Sequence, residues 1–152
     1  MEMISEQRIP ASRDAVWAAL NDTEILKQAM PGCESFDAIE ENKFEAKLTA
    51  KVGPVKAKFK FQVELSEINA PNGYTILGAG LGGVAGFAKG SAKVDLTEDG
   101  DETILAYNVQ ARVGGKLAQL GARLIDGTAK KMADDFFGNL TDILGGSLES
   151  SD

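Results

Sequence analysis

The stretch Lys116–Ile143, KLAQLGARLIDGTAKKMADDFFGNLTDI, decides how the rest of the chain is read. Leu117, Leu120, Gly121, Leu124, Ile125, Thr128 and Met132 recur at steps of three and four residues. Lys116, Gln119, Arg123, Asp126, Lys130 and Asp134 fall on the other side, which is the pattern of an amphipathic helix. Gly114-Gly115 before the stretch and Gly145-Gly146 after it favour helix ends. In the second half the apolar stripe drifts to Ala129, Ala133, Phe136, Phe137, Leu140 and Ile143, so a bend is expected near Gly127. The stripe mixes large residues with Gly121, Ala122, Gly127 and Ala129. Laid across a curved sheet, such a helix leaves space beside its small residues, whereas a plain core helix gives the same periodicity and no space.

Upstream the period changes to two. Phe44, Ala46, Leu48, Ala50 and Val52 alternate with polar residues, and after the Gly53-Pro54 turn so do Val55, Ala57, Phe59, Phe61, Val63 and Leu65. These are two antiparallel strands with one dry and one wet face. Pro71-Asn72-Gly73 and Asp99-Gly100-Asp101 mark further turns, which predicts strands over Tyr74–Leu77, Ala88–Leu96 and Thr103–Val113. Met3–Ile9 and Cys33–Ile39 add two short strands. Between them lie two short helices, Arg13–Asn21 with Ser12 as its N-cap and Thr23–Ala29 stopped by Pro31-Gly32. The expected fold is α+β: a seven-stranded antiparallel sheet curled around the long C-terminal helix, with the two short helices after the first strand. Residues 1–146 should form a single domain and 147–152 a frayed polar tail.

Composition narrows the function. The 152 residues carry a net charge of -7, which argues against nucleic acid, because phosphate contacts need a cationic face. A single cysteine, Cys33, rules out an internal disulfide framework and points to a reducing compartment. The N-terminus, MEMISEQRI, lacks the basic and apolar regions of a signal peptide, so a cytoplasmic protein is expected. Histidine is absent, which removes the commonest general base and the commonest ligand of catalytic zinc.

The order of several short motifs carries a resemblance. Val16-Trp17 with Leu20-Asn21-Asp22 is followed by Pro31-Gly32-Cys33, Val52-Gly53-Pro54 and the glycine-rich Gly78–Gly90. Val113-Gly114-Gly115-Lys116-Leu117-Ala118-Gln119-Leu120-Gly121, Arg123-Leu124-Ile125 and Phe136-Phe137 complete the series. Over about residues 1–145 the chain resembles the carbon monoxide dehydrogenase CoxG family of the START/Bet v 1-like (SRPBCC) superfamily, whose scaffold is the helix-grip fold. The resemblance implies an accessory protein of molybdenum hydroxylases such as carbon monoxide dehydrogenase, linked to membrane recruitment or electron delivery.

Candidate chemistry is sparse. Gly78-Ala79-Gly80-Leu81-Gly82-Gly83 has the letters of a dinucleotide fingerprint, but a strand follows where the phosphate-binding helix should begin. The stretch reads instead as a hairpin, or as a loop whose Leu81, Val84 and Phe87 gate a cavity mouth. Cys33 has no base to activate it. Asp134-Asp135 and Asp99/Asp101 read as surface carboxylates, so neither a cofactor nor a metal is expected.

What remains is an apolar cavity, expected between the dry sheet face and the helix. Its candidate lining is Trp17, Leu48, Phe59, Phe61, Leu77, Phe87, Leu105, Tyr107, Leu117, Leu120, Gly121 and Leu124, and its expected occupant an apolar, lipid- or quinone-like small molecule. Lys47, Lys51, Lys56, Lys58 and Lys60 gather on one wet face with Lys43, opposed only by Glu45. They serve either as solubilising edge lysines or as a docking face for an acidic partner or anionic lipid on the inner side of the cytoplasmic membrane. The competing functions are a helix-grip enzyme of the cyclase or hydrolase kind, for which Tyr107 with Asn108 or Gln110 is the only acid–base material, and a purely structural assembly factor.

Overall fold

The alternation in residues 43–65 closes into a hairpin in which Leu48 faces Phe59 and Ala50 faces Ala57. In the computed structural model, which describes residues 1–149, this hairpin is β3 (Lys43–Val52) and β4 (Val55–Asn69). Around it stand β1 (Glu2–Ile9), β2 (Cys33–Glu40), β5 (Gly73–Leu81), β6 (Phe87–Asp99) and β7 (Glu102–Gly114). All seven form one antiparallel sheet in the order β1-β7-β6-β5-β4-β3-β2. The short turns from β2 to β7 leave each strand beside its successor, as expected of a meander. Two short helices, α1 (Arg13–Leu20) and α2 (Thr23–Ala29), carry the chain from the β1 edge to the β2 edge. Ser12 caps α1 by accepting from the Ala15 amide at 3.2 Å, and Asp22 caps α2 through the amides of Glu24 and Ile25.

The C-terminal helix differs from the sequence reading at both ends. Gly115–Leu120 forms a 3₁₀ segment, Gly121 follows at φ +94°, and the α-helix α3 runs from Ala122 to Glu149. Gly121 therefore breaks the expected continuous helix, because that positive φ suits glycine and strains other residues. α3 keeps its α-helical hydrogen bonding through Gly127. It also continues through Gly145-Gly146, which do not stop it; residues 150–152 of the expected tail lie outside the described residues.

Burial falls into two clusters. The larger joins Ile9, Val16, Leu20, Tyr74, Leu105, Tyr107 and Leu140, with Trp17, Phe136, Phe137 and Ile143 packed against it. Tyr107 stacks on Phe137 with ring centroids 5.2 Å apart, and Trp17 leans on Tyr74 at the same distance. Asn139 Nδ2 donates to the Ala29 carbonyl at 2.9 Å and ties α3 to the end of α2. The smaller cluster joins Leu48, Val52, Ala57, Phe59, Ala85 and Leu117, flanked by Met30, Ile125 and Met132. The C-terminal half of α3 thus packs in the first cluster and its N-terminal half over the second.

Candidate ligand cavity

Between the sheet and the N-terminal half of α3 lies a cavity of about 440 Å³. Its sheet wall includes Ala46, Leu48, Phe59, Phe61, Val63, Ile76, Val109 and Val113, and its helix wall Leu117, Ile125, Ala129 and Met132. Met30 and Phe36 also reach it. The space comes from the sheet. Val63, Gly78, Gly90 and Ala111 pair side by side across β4, β5, β6 and β7, and the neighbouring inward positions hold Gly80, Ala88 and Ala92. At these positions two adjacent strands present only hydrogen or methyl, which leaves a trough that the aromatic rings of β4 overhang. Phe59 and Phe61 stand 5.4 Å apart at its rim. A Cβ built on Gly78 would meet nothing within 4 Å.

The lining is apolar. Among the described residues no carboxylate, cysteine or tyrosine lines the cavity; Lys89, Ser91 and Gln110 border it from outward-facing positions of β6 and β7. Thr128 Oγ1 donates to the Leu124 carbonyl at 2.9 Å, so that its hydroxyl is already paired within α3. Such a volume is within the range of small-molecule sites, and a wall without polar anchors suits a hydrocarbon-rich occupant.

Of the candidate lining residues, Leu48, Phe59, Phe61 and Leu117 meet around this cavity. The others do not. Trp17, Leu105 and Tyr107 sit in the larger cluster, since alternation gives a strand residue's face but not its height along the sheet. Leu77 and Phe87 alternate outward and are partly exposed. Leu120 packs on the smaller cluster without reaching the cavity; Leu124 leans over Gly53; Gly121 faces open space. The residues the sequence reading passed over are the small ones, together with Val63, Ile76, Met30 and Met132. Their signal was the run of Gly and Ala at the inward positions of β5 and β6, opposite the phenylalanines of β4.

Other candidates resolve plainly. Gly82 and a 3₁₀ turn at Gly83–Ala85 link β5 to β6, so no helix N-terminus meets the glycine run and the dinucleotide reading falls. Leu81 and Val84 on this loop are 73% and 92% exposed. Cys33 is half-buried; desolvation pushes its thiol up, away from a reactive thiolate. Asn108 and Gln110 point away from buried Tyr107 along β7, so they form no acid–base pair with it. Lys47, Lys51, Lys56, Lys58 and Lys60 are exposed on the outer face, and Lys60 Nζ lies 3.6 Å from Glu45. Among the described residues no group of acidic, cysteine or histidine side chains is arranged to hold a metal, and no helix is long and apolar enough to cross a membrane.

Comparison with known proteins agrees with this geometry. The chain is similar, at 32% identity and a TM-score of 0.91, to a conserved protein from Geobacillus kaustophilus, with 97% of each chain covered. A START superfamily protein from Mycobacterium smegmatis shares the fold at 11% identity and a TM-score of 0.74, over 95% of this chain and 97% of that one. So does the Zhui aromatase/cyclase from Streptomyces sp. R1128, at 14% identity and a TM-score of 0.66, over 95% and 93%. No curated protein matches the chain. The sequence profile of the carbon monoxide dehydrogenase G-subunit (CoxG) matches residues 6–145. Family and fold together suggest a ligand-binding accessory protein. On a START-type helix-grip scaffold, this chain belongs to the carbon monoxide dehydrogenase CoxG family.

Proposed function

We propose that the protein is a non-enzymatic carrier that takes a lipid- or quinone-like molecule into the cavity beneath α3. It would serve a molybdenum hydroxylase of the carbon monoxide dehydrogenase type at the membrane or at its electron acceptor. One observation supports this most: a 440 Å³ space walled by aliphatic and aromatic side chains. An empty space of that size in a core forfeits van der Waals contacts and costs stability, and an apolar guest restores them. A purely structural assembly factor gains nothing from the trough, whereas a carrier depends on it. A cyclase is the reading that the Zhui neighbour invites. Catalysis there would want a titratable pair at the reacting atoms, and the lining among the described residues offers none.

Native mass spectrometry of the purified full chain tests the carrier reading. The expected spectrum holds, beside the bare chain, an adduct that organic extraction removes and that an added quinone with a short isoprenoid tail restores. A bare chain that takes up neither this quinone nor an apolar fluorescent probe would overturn it.

A further inference from the structure

The seven-stranded sheet has two ends, and they carry opposite charge. At one end lie the β2–β3, β4–β5 and β6–β7 turns, with Glu40, Glu41, Glu98, Asp99, Asp101 and Glu102. Arg8 is held there by Asp99 and Glu102 at 2.7 and 2.9 Å. At the other end lie the Gly53-Pro54 turn, the 82–86 loop, the Gly115–Leu120 turn and the start of α3. Three segments that run to and from this end, Ala46–Val63, Ile68–Val94 and Thr103–Ile125, contain no carboxylate and hold ten of the chain's 16 lysines and arginines; Glu34, which accepts from Thr49 Oγ1 at 3.3 Å, and Asp126 on α3 border them. A chain of net charge -7 is thus a strong dipole with one cationic pole.

The cationic pole also has an apolar tip. Val84 and Leu81 project from the 82–86 loop and the strand end before it, at 92% and 73% exposure. Behind the tip, Ala85 is buried against the smaller cluster and Gly86 packs on Gly114 and Gly115, which seats the loop firmly on the fold. Lys51, Lys56 and Lys58 stand on the ends of β3 and β4 that flank the Gly53-Pro54 turn, Lys116 on the Gly115–Leu120 turn and Arg123 at the start of α3; none has an ion-pair partner among the described residues. Desolvating two aliphatic side chains on a rigid tip while cations stay at headgroup level is the arrangement of an interfacial membrane contact.

We propose that this pole docks on an anionic lipid bilayer, with Leu81 and Val84 inserted and the flanking cations on the headgroups. The partner is a bilayer rather than an acidic protein because the loop projects two exposed aliphatic side chains while the neighbouring elements carry cations. The helix wall of the cavity begins at Leu117 on this same pole, so a docked molecule would hold its cavity close to the lipid. That last point rests on the carrier reading; the docking itself does not.

Flotation of the full chain with vesicles tests it, using phosphatidylcholine alone and phosphatidylcholine with one part in three phosphatidylglycerol. Binding is expected on the anionic vesicles, declining as salt shortens the ~8 Å Debye length. Lys56→Gln with Lys58→Gln should weaken it about tenfold or more and flatten the salt dependence, since each lysine near such a surface strengthens binding about fivefold. Leu81→Ser with Val84→Ser should weaken it about tenfold at unchanged net charge. A Val84→Trp variant should shift its emission to the blue on anionic vesicles, and its exposed position leaves the core undisturbed. No binding by wild type would overturn the proposal. So would undiminished binding by the serine variant, which would leave only lysines acting on an acidic surface. Quinone uptake, measured on the same variants, should not change, so failure to dock and failure to carry give separate results.

Discussion

Gly78→Leu should empty the cavity of its guest without unfolding the protein. Gly78 is an inward position of β5, flanked by Val63 and Gly90, and its missing Cβ looks into open space. Gly78→Leu would send four carbons into the 440 Å³ trough beneath Phe61. A guest of matching size must then lose contacts or force the wall apart, a cost of about 2 kcal/mol, roughly thirtyfold in Kd. Stability should move the other way. Leucine buries apolar surface and removes a glycine from a strand interior, which together stabilise by about 1 kcal/mol. Probe titration and thermal melting of one variant therefore give opposite signs. Unchanged affinity would place the guest elsewhere, and a sharply lower Tm would mean the trough is not open in solution.

Truncating Leu140 should have the largest effect on stability. Its side chain is fully buried where the C-terminal half of α3 meets the sheet, within the cluster of Tyr74, Leu105 and Tyr107. Leu140→Ala removes three carbons from a packed site between Phe136, Phe137 and Ile143 that cannot collapse readily. The expected loss is about 3–4 kcal/mol, a large share of the ~5–15 kcal/mol that holds a domain together. Urea unfolding should show the midpoint falling with the slope preserved. A loss under about 1 kcal/mol would show that α3 is not clamped at this point.

The fold was legible because alternation and helical spacing are positive signals. Phe44–Val52 and Val55–Leu65 announce strands, and Thr23–Ala29 announces a helix, through residues that must choose a face. The start of α3 was obscured for a geometric reason. Leu117 and Leu120 are three apart, a spacing that a 3₁₀ turn and an α-helix share, and only the φ of Gly121 separates them. The cavity was half legible for another reason. Phe59, Phe61 and Leu117 declare themselves as large apolar side chains, but Gly78, Gly90 and Ala111 contribute by omission. Small residues carry no periodic signature, and the void appears only when register brings them into one row. Alternation likewise gave Leu105 and Tyr107 the right face and left unstated which cluster they join.

The division of α3 between two clusters has a kinetic consequence. Around Leu140 the helix is pinned, and Asn139 bonds it to α2. Toward its start, from Ala122 to Met132, most positions are exposed and the inner side overlies empty space. Such a segment belongs to the low-energy end of local opening. Amide hydrogen exchange should divide the helix, with Ile125–Lys131 exchanging through an opening well below global unfolding and Phe137–Ile143 only through the global event. A guest beneath the helix would slow the first set alone. A guest that passes beneath these turns would then meet a barrier set by their local melting, at Ile125 and Met132, while the main core stays closed.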